Sequence, residues 1–349
     1  MKQISVTESD VISQLRLPLI VLVTYAHSYS SVSPDYSLLS TGWVSLEVLK
    51  LLFSQTLSKV VVPVFFIISG YLFFAYVNQW SLGVYGQKMS KRAKTLLVPY
   101  VVWNLLMAVK LRAFDIRFLW DYCQQAGMQT DWLGCENWMT APANLPLWFL
   151  RDLMVVSLLT PILYIVLSRW GGAVLGFLLV YFLSGIGAFA VPGLSACALF
   201  FFSLGAYLGI RRKGLLQTAM RYERPSYVLS ALLAMAMVLT YHQPVFSSLM
   251  LCFRLVGAVA VFCLAFRLLT STPHRLSPVV CRASYFVYLA HYVFFLSFVD
   301  DYLLHFLGYG PSAHYLAAPL LKAVLLVLTY AGYRQLIGEK LQLFLHKSE

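Results

Sequence analysis

Apolar residues occur in long runs along the whole chain, separated by short polar segments. None of the runs alternates polar and apolar positions as a strand with one wet face would. A helix needs about 20 apolar residues to cross the ~30 Å hydrocarbon core of a bilayer, and the runs approach or reach that length. The pattern therefore predicts an all-α, polytopic transmembrane bundle of about ten helices. The predicted spans are 8–28, 54–77, 95–112, 145–167, 170–190, 194–210, 226–241, 246–269, 283–304 and 315–337.

The segments between these runs indicate how the chain is organised. Residues 39–53 precede the second span and are predicted to form an interfacial helix. The longest connection, about 113–144, is rich in Trp, Asp and Gln, and loops of that length usually have a binding or gating task. An amphipathic flap resting on the membrane interface is the alternative interpretation. No fused soluble domain or internal repeat is predicted, so residues 1–349 form a single membrane-embedded domain.

The first run is predicted to be a helix that the protein retains. Glu8 and Asp10 stand where a signal peptide carries positive charge, and Arg16 lies close to the apolar centre. Thr7 followed by Asp10 is also similar to the capping box that begins many helices. Both features argue against a cleaved signal peptide.

The composition agrees with a membrane protein, since 60% of the residues are hydrophobic and only 11% are charged. Soluble domains carry about 25% charged residues. The net charge of +12 is concentrated in short basic clusters such as 88–94 and 211–224, whereas acidic residues such as Asp131 lie in the alternate connections. This asymmetry is typical of the positive-inside rule and predicts that both termini are cytoplasmic. This topology also accounts for the net positive charge of the chain. The charge therefore does not indicate a nucleic-acid partner.

Five ionisable residues fall at hydrocarbon depth, where each is costly and marks a functional-site hypothesis: Arg16, His27, Lys59, Arg254 and His291. Arg16 and His27 are eleven residues apart, which is about three helical turns plus 20°, so both are predicted to lie on one face. Their separation along the axis is about 16 Å. Imidazole accepts and returns a proton near neutral pH, which suits His27 for acid–base chemistry.

Each of these residues also has a structural interpretation. Arg16 can extend its charge to the interface, and His27 can be a hydrogen-bonded interface residue. Arg254 has no acidic residue within one turn, so a structural ion pair with another helix is as good an explanation as a ligand. His291 is predicted to line the same cavity as His27, with structural hydrogen bonding as the alternative.

The segment from Arg16 to His27, RLPLIVLVTYAH, resembles the signature of the acyltransferase family 3 membrane proteins. Four further segments resemble the same family in the same order along the chain. These are VPVFFIISGYLFF at 62–74, KRAKTLLVPYVVWN at 91–104, LWFLRDLMVV at 147–156 and SYFVYLAHYVFF at 284–295.

This resemblance implies an enzyme of the bacterial cytoplasmic membrane that transfers acyl groups to hydroxyls of a cell-envelope polysaccharide or glycolipid. It implies acetyl-coenzyme A as the donor substrate, with no bound cofactor and no metal. The family's Arg and His fall on Arg16 and His27, and its basic residue before the Val-Pro-Phe-Phe stretch falls on Lys59, where Arg is more usual. The family's Arg-x-x-Arg is kept only in part, because Arg92 is followed by Thr95.

The resemblance also assigns roles to these residues. His27 is expected to act as general base toward the acceptor hydroxyl, or to hold the acyl group briefly. Arg16 is expected to orient the thioester or to stabilise the oxyanion. A cationic group is expected to bind the phosphates of the acyl donor, with ordinary topology as the alternative explanation. Its members are Lys59, Lys88, Lys91, Arg92 and Lys94. Residues expected on the acceptor side or in the cavity wall are Trp148, Arg151, Asp152, Arg254 and His291.

Three questions stay open at this point. No carboxylate follows from the sequence as a partner of His27, and Asp152 is only a hypothesis. Cys123 and Cys135 share the predicted outer loop and would close it if they formed a disulfide. A transporter or flippase of envelope glycans or small anions is the rival function, because buried cations also suit a translocation path.

Overall fold

The computed structural model describes residues 6–27, 46–113, 142–185, 192–293 and 311–337, together with Val299 and Leu303. The described residues form helices joined by turns and irregular segments and contain no strand, which confirms the all-α prediction. The α-helices are α1 (Glu8–His27), α2 (Leu46–Lys50), α3 (Val61–Phe74), α4 (Leu82–Arg92), α5 (Val98–Ala113), α6 (Trp148–Leu158), α7 (Thr160–Leu183), α8 (Ala196–Ile210), α9 (Leu215–Met220), α10 (Glu223–Leu239), α11 (Val245–Ser271), α12 (Pro278–Ala290) and α13 (Pro311–Ile337).

Six helical segments in the described part are long and apolar enough to cross a membrane. Helices α8 and α12 are also apolar but shorter. The protein is therefore a multi-pass membrane protein, while the count of ten spans and the cytoplasmic termini remain predictions. The six segments are Glu8–His27, Leu46–Phe74, Leu82–Lys110, Thr160–Leu183, Val245–Ser271 and Ser312–Leu336.

The second span begins earlier than the sequence pattern predicts. Residues Leu46–Phe74 form one helical run, so the described part of the predicted interfacial helix 39–53 is the beginning of this span. Lys50 lies near the beginning of this run. Its side chain is only 6% exposed, and the helix continues through it.

This run is irregular where it approaches Lys59. Residues Leu51–Thr56 are π-helical, and Leu57–Val60 form a 3₁₀ turn before α3 begins. A second π-helical segment, Ala93–Leu97, joins α4 to α5. Segments of this kind occur often at functional sites, because they change the direction in which neighbouring side chains point.

The boundary predicted between the fourth and fifth spans coincides with a break in the helix. Helix α7 contains a break at Trp170, whose backbone angles (φ −126°, ψ 32°) are not helical. The sequence pattern placed the break between 167 and 170. A second interruption, at Leu159, separates α6 from α7.

Helix α1 begins as the sequence predicts. The Thr7 amide donates to the Asp10 carboxylate at 2.9 Å, and the Asp10 amide donates to the Thr7 hydroxyl at 3.2 Å, which is a capping box. Next to it, the Glu8 carboxylate accepts from the Tyr71 hydroxyl at 2.5 Å and from the Leu216 amide at 3.1 Å. These bonds connect the start of α1 to α3 and α9.

Helices α3 and α8 approach each other so closely that only glycine fits at the contact. A Cβ atom added at Gly70 would lie 2.0 Å from the carbonyl oxygen of Phe202, and one added at Gly205 would lie 2.0 Å from that of Ile67. Small residues allow such close approach of backbones inside a membrane. The contact fixes the position of α3, which forms one wall of the cavity described below.

The predicted outer loop 113–144 is described only at its two ends. Cys123, Cys135 and Asp131 lie outside the described residues, so the proposed disulfide stays a prediction. The acidic positions Asp300 and Asp301 are outside them as well.

Candidate functional site

A cavity of about 620 Å³ lies within the helical bundle. Its wall is formed by α1, the 3₁₀ turn and α3, the π-helical segment before α5, α6, the start of α8, α11 and α12. The basic side chains in this wall are Arg16, His27, Lys59, Arg254 and Arg282, and the thiol of Cys197 lines it as well.

Helix α1 contributes a continuous face to the cavity. Arg16, Ile20, Val23 and His27 all line it, at spacings of four, three and four residues. That spacing follows one side of a 3.6-residue helix. The arginine and the imidazole therefore share one cavity, although they are about 16 Å apart along the helix axis.

Three basic groups lie near one end of the cavity: the His27 imidazole, the Lys59 ammonium and the Arg254 guanidinium. The Lys59 ammonium is close enough to interact electrostatically with both His27 and Arg254. Arg254 donates from Nη2 to the sulfur of Met250 at 3.8 Å, while its buried Nε has no partner among the described residues. Arg254 thus has hydrogen-bonding capacity left over at the cavity wall.

No acidic side chain balances these cations in the described part of the cavity wall. The ion pairs found among the described residues are Arg151–Asp152 and Arg267–Glu223, and neither includes Arg16, Lys59 or Arg254. An uncompensated buried cation is unfavourable unless a ligand supplies the opposite charge or an oxygen acceptor. The cavity is therefore suited to an anionic or oxygen-rich ligand.

Most of the remaining wall is apolar, so the ligand must also carry a hydrophobic or weakly polar part. Small-molecule sites commonly combine such a wall with a few placed polar groups. The apolar side chains from α3, the segment before α5 and α6 include Val62, Phe65, Ile68, Leu72, Leu96, Phe149, Leu150 and Leu153.

Helix α12 contributes three residues that were not among the predicted site residues. Arg282, Tyr285 and Tyr288 line the cavity at intervals of three residues. The Tyr285 hydroxyl donates to the Thr95 carbonyl at 2.7 Å, and the Tyr288 hydroxyl donates to the Pro146 carbonyl at 2.6 Å. The hydroxyls are thus held by backbone carbonyls, and the two rings stack on each other with centroids 6.3 Å apart.

His291 continues this row but is not part of the cavity wall. Its ring lies 6.2 Å from that of Tyr288 and 5.4 Å from that of His27, measured between centroids, and the residue is only 2% exposed. Steps of three residues fall about 60° short of a full turn, so the row winds around α12. His291 therefore contacts the ring of His27 from outside the cavity wall.

The predicted donor-binding cations on α4 and in the segment after it differ in their positions relative to the cavity. Lys88, Lys91 and Lys94 do not line the cavity, and Lys91 and Lys94 are exposed. Lys88 is half-buried and lies 5.2 Å above the ring of Phe73. Of the predicted donor-binding group, Lys59 alone lies in the described cavity wall.

Arg92 faces the protein interior. Its Nη1 donates to the Ser157 hydroxyl at 2.5 Å and its Nη2 to the Ser69 hydroxyl at 2.9 Å. The guanidinium also lies 4.8 Å above the ring of Phe73. Arg92 thus connects α4, α3 and α6, and it reaches the cavity only through Ser69, which lines it.

The residues predicted on the acceptor side also differ in whether they line the cavity. Trp148 lines the cavity, whereas Arg151 and Asp152 pair with each other behind it. The Asp152 carboxylate, 1% exposed, accepts from Nε and Nη2 of Arg151 at 3.0 and 2.8 Å. No contact joins Asp152 to His27 in the described part of the chain, where the rings of His291 and Tyr292 lie 5.4 and 5.6 Å from that of His27, measured between centroids.

Comparisons with known proteins agree with the earlier resemblance. A family described as an acyltransferase domain matches residues 11–332. The succinoglycan biosynthesis protein ExoH of Rhizobium meliloti (strain 1021) is 29% identical over 211 residues, which cover 57% of this chain and 53% of that protein. The chain thus spans about half the length of this curated relative. No solved structure matches the chain.

Proposed function

Because this chain belongs to the acyltransferase domain family that matches residues 11–332, we propose that it is a membrane O-acyltransferase that uses acetyl-coenzyme A. The proposed acceptor is a hydroxyl of a cell-envelope polysaccharide or glycolipid, and the proposed location is the bacterial cytoplasmic membrane. The name of the relative, a succinoglycan biosynthesis protein, supports a polysaccharide acceptor.

The observation that carries this proposal is the combination of groups in one cavity. His27 can move a proton, and Lys59, Arg254, Arg16 and Arg282 supply positive charge without a balancing carboxylate in the described wall. An acyl-coenzyme A has phosphates that need cations and a long pantetheine arm that suits a largely apolar wall. The cavity offers both, which favours an acyl donor of this chemical class.

Arg16 and His27 are assigned different roles because of their separation along α1. Arg16 lies about 16 Å along the helix axis from His27, so the two side chains are placed for different parts of an extended donor. We therefore assign Arg16 and Arg282 to the anionic part of the donor. Lys59, which interacts electrostatically with His27, is assigned to the oxyanion.

The proposed reaction is a direct transfer. His27 takes the proton of the acceptor hydroxyl, and the hydroxyl oxygen forms a bond to the thioester carbonyl carbon. Positive charge at Lys59 stabilises the oxyanion of the tetrahedral intermediate, as preorganised charge does in a dry site. The carbon–sulfur bond then breaks, the thiolate of coenzyme A takes the proton from His27, and an ester remains on the acceptor.

To test this proposal, membranes that contain the protein are supplied with acetyl-coenzyme A that is radiolabelled in the acetyl group. We expect label to appear in envelope glycan and to be released by mild alkali, because esters hydrolyse under conditions that amides survive. Membranes without the protein are the control.

The transporter alternative predicts a different result in the same experiment. A transporter would leave the glycan unlabelled while changing the amount of glycan or small anion on the outer side. Unlabelled glycan in membranes that hold abundant protein and acceptor would contradict the proposed function.

A further inference from the structure

We infer that His291 is the positioning residue of His27, in the place where acid–base sites more often have a carboxylate. This inference rests on the proposed function, since it concerns how the proposed general base is held. The inference follows from the environment of His291, a residue that does not line the cavity.

The tautomer of His291 is set by the backbone. Its Nδ1 lies 2.7 Å from the carbonyl oxygen of Tyr288, and because a carbonyl only accepts, Nδ1 must carry the hydrogen. In the neutral ring, Nε2 is then an acceptor with a free lone pair. This nitrogen is buried and has no hydrogen-bond partner among the residues that the structure describes.

A buried acceptor without a partner is unusual in a folded protein and calls for an explanation. The ring of His27 is its neighbour, with centroids 5.4 Å apart and planes inclined by 46°. At this centroid separation, two ring nitrogens that point toward each other lie at a hydrogen-bond distance of about 3 Å. Hydrogen bonds of catalytic groups are often long before the substrate binds and shorten in the complex.

The consequence for His27 is a fixed tautomer. If the N–H of His27 donates to Nε2 of His291, the other ring nitrogen of His27 keeps its lone pair. That lone pair can then take the proton of the acceptor hydroxyl. The chain Tyr288 carbonyl, His291, His27 thus aligns the base from the protein side, and Asp152 is not needed because it is already paired with Arg151.

Two substitutions separate this function from its alternatives. In His291→Gln the amide oxygen reaches the position of Nε2 and accepts from His27. In His291→Asn the amide nitrogen replaces Nδ1 and donates to Tyr288, but nothing reaches His27. We expect kcat for acetyl transfer to stay within about tenfold of wild type in H291Q and to fall about 100-fold in H291N. KM for acetyl-coenzyme A should change little in both.

Each other pattern contradicts the inference. Activity kept in H291N and lost in H291Q would show that only the bond to Tyr288 matters. Loss in both at wild-type abundance would show that His291 itself carries a proton, and activity kept in both would show that it is dispensable. If the wild-type protein transfers no acetyl group, the proposed function fails and this inference with it, whereas an active wild type with one of these patterns rejects the inference alone.

Discussion

Replacing Gly205 by alanine should separate α3 from α8 and destabilise the whole bundle. The new Cβ atom would lie 2.0 Å from the carbonyl oxygen of Ile67 and 2.9 Å from the amide nitrogen of Tyr71. Ordinary contact begins near 3.4 Å, so the helices must move apart by about 1.4 Å at this point. Both obstacles are backbone atoms within α3, so no side-chain rotation can relieve the clash.

The cost of this substitution follows from overpacking. Extra methylene groups in packed interiors typically cost about 1–3 kcal/mol, and we expect about 3 kcal/mol here because backbone must move. For a chain of 349 residues, a loss of this size corresponds to a decrease in Tm of roughly 4 °C. Intrinsic fluorescence of the detergent-solubilised protein during heating measures it, since the chain has 8 Trp residues.

Gly176→Ala is the matched control. Gly176 lies in α7, and a Cβ atom added there meets nothing within 4 Å. Alanine is the better helix former by about 1 kcal/mol, so Tm should be unchanged or slightly higher. A Tm for G205A within about 1 °C of wild type, beside an unchanged control, would refute the close backbone contact between α3 and α8.

The remaining predictions concern topology and the cavity cations. With a single cysteine in place of Lys91, an impermeant thiol reagent should not label intact cells, whereas a cysteine in place of Asp131 should be labelled; labelling at 91 would overturn the predicted orientation. Arg16→Lys should raise KM for acetyl-coenzyme A about tenfold with little change in kcat, because Lys lacks the planar guanidinium fork; an unchanged KM would remove Arg16 from donor binding. Lys59→Met should lower kcat about 100-fold by removing oxyanion stabilisation, and a kcat near wild type would contradict that assignment.

The features that the sequence predicts well are those that depend on one helix at a time. The shared face of Arg16 and His27 follows from the helical period alone, and the capping box of Thr7 and Asp10 follows from local hydrogen bonding. Both need no knowledge of which helices are neighbours. Long apolar runs likewise establish a multi-pass membrane protein before any packing is known.

Features that depend on packing between helices were beyond the sequence. Arg92 and Lys94 look alike in a basic cluster, yet one guanidinium is held by Ser157 and Ser69 while the other cation is exposed. Arg282 reads as an ordinary basic loop residue until α12 is placed against the cavity. The three-residue spacing of Arg282 and Tyr285 was a usable signal, because side chains so spaced are neighbours on a helix.

The central claim is that His27 transfers a proton in an acyl-transfer reaction, and the rate of acetyl transfer by His27→Gln tests it most directly. Glutamine keeps hydrogen bonding but cannot take up a proton near neutral pH. At wild-type abundance in the membrane, we expect kcat to fall at least about 100-fold in H27Q, and likewise in H27A. His274→Ala, which alters an exposed histidine outside the cavity, should transfer acetyl at the wild-type rate. Wild-type transfer by H27Q and H27A would contradict the account.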